Sequence, residues 1–246
     1  MVGHPHSSAT RALRALEAVA DDEEPKSLAT LSRTLSVPKS TLHSLLRALA
    51  VRHYLELDEH GNYQLGVACL HVGTAYMRRF TALVAAGPEL FRLSRELGVT
   101  AHFAVLEGAD ALYLAKEDPP TGALRLASAV GIRLPAHLTA VGKANLAHLP
   151  KGVALPDISP PLSRVAEASL QTELAEVRAQ GFAVDQGAVM PGVCCVAAPV
   201  FDGSRRCCGT IGVSFLGQAQ GSLETAASAV VDSCRRASLT LGLTSP

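Results

Sequence analysis

Leu42, Leu45, Leu46 and Leu49 fall at i, i+3, i+4 and i+7, a spacing that forms one apolar stripe on an α-helix and scatters in any other regular structure. The spacing predicts a helix over residues 38–50. Pro38 suits its first position, where a missing N–H removes no internal bond. A shorter helical run, Leu28-Ala29-Thr30-Leu31-Ser32-Arg33-Thr34-Leu35, precedes it across Ser36-Val37-Pro38. The segment Tyr54-Leu55-Glu56-Leu57-Asp58-Glu59-His60-Gly61-Asn62-Tyr63-Gln64-Leu65 then reads as a hairpin. A short helix, a tight turn, a second helix buried on one side and a hairpin make a winged helix-turn-helix. Its second helix keeps one face free to enter a major groove.

That free face carries Lys39, Ser40, Thr41, His43, Ser44 and Arg47. Short hydrogen-bonding groups at a helix start meet base edges, and the helix N-terminus favours a phosphate. Any amphipathic helix has a polar face; the turn spacing and the hairpin behind it favour a DNA-reading one. Net charge does not help, because 22 Lys+Arg balance 22 Asp+Glu. Locally the balance differs: between Arg33 and Tyr54 the charged residues are Arg33, Lys39, Arg47 and Arg52, with no acid, giving +4. A patch of that size suits a few phosphate contacts per subunit. The candidate DNA-binding residues are therefore Lys39, Ser40, Thr41, His43, Ser44, Arg47 and Arg33, with His60 on the wing. Glu56, Asp58 and Glu59 make the wing acidic, which is unexpected there; His60 and Asn62 are its better candidates for reaching the backbone.

The chain of 246 residues suits a small domain followed by a medium one, and 48% hydrophobic against 18% charged residues indicates a large buried core. No apolar run approaches the roughly eighteen residues needed to span a bilayer. The start, Met-Val-Gly-His-Pro-His-Ser-Ser, lacks a charged-then-apolar signal pattern, so a cytoplasmic protein is expected. Six cysteines, Cys69, Cys194, Cys195, Cys207, Cys208 and Cys234, include no C-x-x-C, and no His pair has zinc-finger spacing; neither a metal nor a cofactor is expected. The vicinal pairs Cys194-Cys195 and Cys207-Cys208 fit small core residues on strands, one of each pair facing inward.

Along the chain, Arg11 to Ala20 reads as a first helix with Leu13, Leu16 and Ala20 inward, and Ser27 is placed to cap the second. Val67, Leu70, Thr74 and Met77 form a short a/d seam, enough for a helix pairing or a linker helix. Beyond it the pattern predicts a helix over 88–97 ended by Gly98. Strands follow over 100–106 and 111–116, joined by a hairpin turn at Glu107-Gly108-Ala109-Asp110, with another over 124–128 and a loop over 130–135. Helices over 140–149 and 169–180, strands over 182–185, 193–200 and 208–215, and a last helix over 223–241 complete the chain. Helices mixed with mostly antiparallel strands indicate an α+β domain around one sheet, and a mixed α/β chain as a whole.

Three stretches of the second half carry a family resemblance. They are Gly131-Ile132-Arg133-Leu134-Pro135-Ala136-His137-Leu138-Thr139-Ala140-Val141-Gly142-Lys143-Ala144, Leu174-Ala175-Glu176-Val177-Arg178-Ala179-Gln180-Gly181-Phe182-Ala183-Val184-Asp185 and Gly192-Val193-Cys194-Cys195-Val196-Ala197-Ala198-Pro199-Val200. With the N-terminal run they resemble the IclR family of bacterial transcription regulators over nearly the whole chain. The resemblance implies a winged helix-turn-helix over 1–66, a linker helix over 67–80 and a GAF-like effector-binding domain over 81–246. It also implies a homodimer or dimer of dimers on a double-stranded DNA operator. An effector pocket is implied at the positions Thr139, Ala140, Val141, Gly142, Asp185, Cys195, Gly212 and Ser214. Read from the residues themselves, Gly142 before a helix offers free N–H groups that suit a carboxylate, while Cys195, Gly212 and Ser214 project from neighbouring strands.

The chain departs from the family at several of these places. Gln186-Gly187-Ala188 follows Asp185 where relatives carry further acids, and Gly212 replaces a frequent hydroxyl, which implies a roomier, less polar pocket. The expected effector is a small organic acid with an apolar or aromatic portion. Ser36 stands where relatives prefer Gly in the turn, and Ser44 where an Arg is common. The rivals are a DNA-binding protein whose second domain only oligomerises, a cysteine redox sensor and an enzyme. Gly142-Lys143-Ala144 is no P-loop, because His137 stands where its upstream Gly belongs and Ala144 lacks the hydroxyl; there is also no G-x-S-x-G.

Overall fold

Ser7 and Ser27 each open a helix by accepting a hydrogen bond from the N–H three residues on, at Thr10 and Thr30, satisfying a donor that a helix start leaves free. The computed structural model describes residues 7–21, 24–120, 129–216 and 220–244, and the sequence-expected strand over 124–128 lies outside them. The chain divides into two compact units, Met1–Arg79 and Phe80–Pro246.

In the first unit α1 spans Ser8–Ala20, α2 Leu28–Leu35 and α3 Lys39–Val51. Ala15 and Val19 of α1 are buried, whereas Leu13 is 60% exposed and Ala20 exposed, against the expectation from sequence. The helix carries two competing stripes, 12-15-16-19 and 13-16-20, and the first packs inward. Leu31, Leu35, Leu42 and Leu46 complete a core with Leu55 and Tyr63, and Leu49 packs against it. Pro38 is the residue before α3 rather than its first. Ser36 ends α2 in the left-handed conformation, with φ 54° and ψ 40°.

The wing is the antiparallel pair β1 (Leu55–Leu57) and β2 (Tyr63–Leu65), Leu55 facing Leu65. Asp58 shapes its turn: the carboxylate accepts the N–H groups of His60 and Asn62 and the Asn62 side-chain amide. Those bonds lower its pKa, and they explain an acid in a wing expected to be basic. They also engage Asn62, while the exposed His60 ring lies 3.6 Å from the Glu59 carboxylate. Gly66 passes so close to His53 that an added Cβ would lie 2.2 Å from its carbonyl oxygen, so no larger residue fits where the wing hands over to α4 (Val67–Met77). No residue of α4 is buried: Val67, Leu70 and Val72 are all more than half exposed.

The second unit opens with α5 (Thr81–Leu97), which starts seven residues before the expected Pro88 because Ala82, Ala86, Leu90 and Leu93 form a continuous buried stripe through it. Left-handed Gly98 ends it. Strands β3 (Thr100–Glu107), β4 (Asp110–Glu117), β5 (Arg133–Pro135), β6 (Ala183–Gln186), β7 (Val193–Phe201) and β8 (Cys207–Leu216) form one antiparallel sheet ordered β5-β4-β3-β8-β7-β6. β5 falls in the segment read as a loop; Ile132 and Leu134 turn toward the core and hold it against β4. Helices α5 and α8 (Gln220–Thr240) pack together on one face of the sheet. On the other lie α6 (Ala140–Ala147) and α7 (Arg164–Gln180), which begins at its Ser163 cap rather than at residue 169.

Candidate functional site

The α3 face behaves as a surface prepared for something outside the chain. Lys39, Ser40, Thr41, His43, Ser44 and Arg47 are all exposed, and so are Arg33 and His60. No hydrogen bond or ion pair among the described residues engages the side chains of Lys39, Arg33 or Arg47; Ser44 Oγ donates back to the Ser40 carbonyl at 3.3 Å. Beside this face Arg11 and Arg14 of α1 line a cleft of about 460 Å³ with Thr34, Ser36, Pro38 and Thr41. The basic patch therefore takes in two residues from a preceding helix, which a window of consecutive sequence cannot reveal.

The second unit holds a cavity of about 130 Å³ between α6 and the sheet. Of the eight positions expected there it brings six together: Thr139, Ala140, Val141, Asp185, Cys195 and Ser214. Ile132, Leu134, Val189, Met190 and Val193 make its wall apolar, with His102 and Tyr113 on neighbouring strands. Gly142 and Gly212 do not line it. The Gly142 N–H is taken by the Thr139 side chain at 3.0 Å, and a Cβ there would lie 2.2 Å from the Ala136 carbonyl oxygen, so the glycine lets the chain pack on itself. A Cβ on Gly212 would lie 2.8 Å from Val141 Cγ1 and 3.0 Å from His102 Nε2. The space of its missing side chain is already filled, which corrects the expectation of a roomier pocket.

The N–H groups left free at this helix start are those of Ala140 and Val141, the first two of α6. No backbone partner among the described residues takes them, and both residues border the cavity. Asp185, 3% exposed, accepts the Ala188 N–H at 2.7 Å. Lys143 turns away to Glu173 Oε1 at 2.6 Å and the Val184 carbonyl at 3.3 Å, which is a structural post and no phosphate grip.

Electrostatics shape the remaining polar groups. Burial, reinforced by the nearby Lys116 charge, depresses the His102 pKa to about 4, so this imidazole is neutral at ordinary pH. Burial raises the Tyr113 phenol above its usual range. Cys195 Sγ lies 3.0 Å from Ser214 Oγ, and burial pushes the thiol up to about 12; Cys207 reaches about 12 and Cys208 about 11 for the same first cause. Cys69, Cys194 and Cys234 are raised as well. Burial thus holds all six thiols further from the reactive thiolate form than a free cysteine.

An exposed recognition-type helix with a wing and a separate ligand-sized cavity define a DNA-binding regulator that carries its own sensor. Comparison with known proteins gives it a family. Residues 8–59 match the IclR helix-turn-helix domain and residues 74–238 the bacterial transcriptional regulator IclR C-terminal domain. The chain belongs to the IclR family of transcriptional regulators. It is 32% identical over 218 residues to the HTH-type transcriptional regulator XynR of Escherichia coli K12, spanning 85% of this chain and 86% of that one. The solved structure of Pseudomonas aeruginosa HmgR superposes with a TM-score of 0.79 at 29% identity, over 96% of this chain and 99% of that one. An IclR homolog from Microbacterium hydrocarbonoxydans, solved in complex with 4-hydroxybenzoate, shares the fold with a TM-score of 0.79 at 21% identity, over 97% of this chain and all of the other. The curated relatives are named as transcriptional regulators, and the chain is a regulator with a DNA-binding and an effector domain, not an enzyme. No helix among the described residues is long and apolar enough to cross a membrane.

Proposed function

We propose that this regulator binds a pseudo-palindromic operator through α3 and the wing, and that a small organic acid with an apolar or aromatic body governs the binding. The carrying observation is the cavity itself: at about 130 Å³ it is close to the engineered pocket of about 150 Å³ that takes up benzene. Its wall is apolar, and the start of α6 offers two N–H groups at its edge. A one-ring acid satisfies all three features, with its carboxylate on Ala140 and Val141 and its body against Ile132, Leu134 and Val193. The 4-hydroxybenzoate in the Microbacterium homolog is an acid of that size.

Lys39, Arg47 and Arg33 hold phosphates in this scheme, and Ser40, Thr41, His43 and Ser44 read bases. The domain limits are those of the sequence, with α4 as the linker helix. Its exposed Val67, Leu70 and Val72 favour pairing with a second copy, and two paired winged helices set half-sites about one helical turn apart or a multiple of it. Ligand and operator then each favour one arrangement of the linkers, so their coupling is reciprocal. Titration with one-ring carboxylic acids, followed by footprinting with and without any binder, tests this. A binder raises the unfolding temperature by mass action and changes operator occupancy; occupancy indifferent to every bound acid rejects ligand control.

A further inference from the structure

One buried polar atom in the wall of the cavity stands without a partner among the described residues. His102 sits on β3, 2% exposed, its ring 5.2 Å from that of Tyr113, and its Nδ1 is buried with no hydrogen-bond partner. Asp185 has the Ala188 N–H, Ser214 and Cys195 have each other, and the Thr139 hydroxyl has the Gly142 N–H. Among the described residues lining this space, His102 is the one with a fully buried side-chain nitrogen left without a partner, and the Tyr113 ring beside it borders the same space. Buried polar groups are paired in the great majority of cases, so an unpaired one in the wall of a cavity calls for a partner, and a ligand in that cavity can supply it. β8 passes beside the ring, where a Cβ at Gly212 would lie 3.0 Å from its Nε2.

We propose that His102 is the specificity-determining residue of the effector pocket, and that the effector carries, besides its acid group, a hydroxyl or carbonyl that hydrogen-bonds to this imidazole. This rests on the organic-acid reading and narrows it: a plain aromatic or aliphatic acid leaves the imidazole unpaired and binds weakly. A neutral imidazole carries one N–H and one lone pair, so it can donate to a carbonyl or accept from a hydroxyl. Sites that hydrogen-bond a buried ligand group discriminate strongly against the analogue lacking it, because the site's own group is then left unpaired.

Isothermal titration of the full chain with benzoate and with 2-, 3- and 4-hydroxybenzoate tests this, repeated on His102→Leu and His102→Gln, each checked for cooperative unfolding. The expected result is that one hydroxy isomer binds the unaltered protein about tenfold or more tighter than benzoate. In His102→Leu that advantage should shrink to about twofold or less, and His102→Gln, which keeps a donor and an acceptor, should recover part of it. Equal affinity for benzoate and every isomer overturns the role of His102 and leaves the organic acid standing. So does a hydroxyl advantage that survives in His102→Leu. If no acid binds the unaltered protein, the organic-acid reading fails and this inference with it.

Discussion

Val141 Cγ1 lies 2.8 Å from the point where a side chain at Gly212 would begin, so α6 and β8 meet through a space sized for a hydrogen atom. His102 Nε2 at 3.0 Å and the Ala197 Cβ at 3.2 Å close the remaining sides. Gly212→Ala should overpack this contact and lower stability by about 1–3 kcal/mol. Combined with Val141→Ala, which removes the nearest atom, its effect should be less than the sum of the two single changes. Urea unfolding of the four proteins in the cycle measures this; strict additivity would show that the two positions do not share the space.

Ser36 is held left-handed at the turn between α2 and α3 and is exposed there. A non-glycine residue in that region costs roughly 1–2 kcal/mol, partly offset by the extra freedom glycine has when unfolded. Ser36→Gly should therefore raise stability by about 0.5–1 kcal/mol, seen as a higher urea midpoint with unchanged slope. An unchanged or lower midpoint would mean that the serine side chain contributes more than its backbone strain costs.

What the sequence made legible follows from how local each signal is. The stripe at Leu42, Leu45, Leu46 and Leu49 needs only the period of one helix, and Gly98 and Gly181 end helices by their own backbone freedom, so α3 and the C-terminal ends of α5 and α7 are legible, whereas the starts of α5 and α7 lie seven and five residues earlier than the sequence indicates. The strand order was not legible, because β8 pairs with β3 across more than a hundred residues and no local pattern encodes that choice. Gly142 and Gly212 misled for one reason: a missing side chain can admit a ligand or admit the chain itself, and sequence looks the same either way. His102 went unnoticed inside Thr100-Ala101-His102-Phe103-Ala104-Val105, where nearly every residue is buried and only the register shows which face meets the cavity.

A buried neutral histidine makes stability depend on pH. The ordinary value is 6.5, reached when the chain unfolds, and the folded value is about 4, lowered by burial first and by Lys116 second. Between these the unfolded chain binds more protons, so the folded state loses stability as pH falls through 6.5 and the loss levels off below 4. The full effect is of order 3 kcal/mol at about 1.4 kcal/mol per pKa unit. His102→Leu should remove this component, so the stability difference between it and the unaltered protein should shift in favour of the variant as pH drops from 7 to 4.5. Parallel curves over that range would show that His102 keeps an ordinary pKa.

Arg11 and Arg14 meet the α2–α3 turn in a cleft that also contains Thr41, the third residue of the recognition helix. Cations beside a helix start aimed at a groove are positioned for the phosphates that flank the bases it reads. Arg14→Ala should weaken binding to operator and scrambled duplexes by the same factor and reduce the slope of log affinity against log salt by about 1 per lost contact. Lys39→Ala and Arg47→Ala should behave alike. His43→Ala and Ser44→Ala should change the preference between duplexes and leave the salt slope nearly intact. Affinities of all five variants on both duplexes at several salt concentrations decide the matter. An Arg14 variant with an unaltered slope would place the phosphates elsewhere, and a uniform loss in the His43 variant would move that residue from reading bases to holding the backbone.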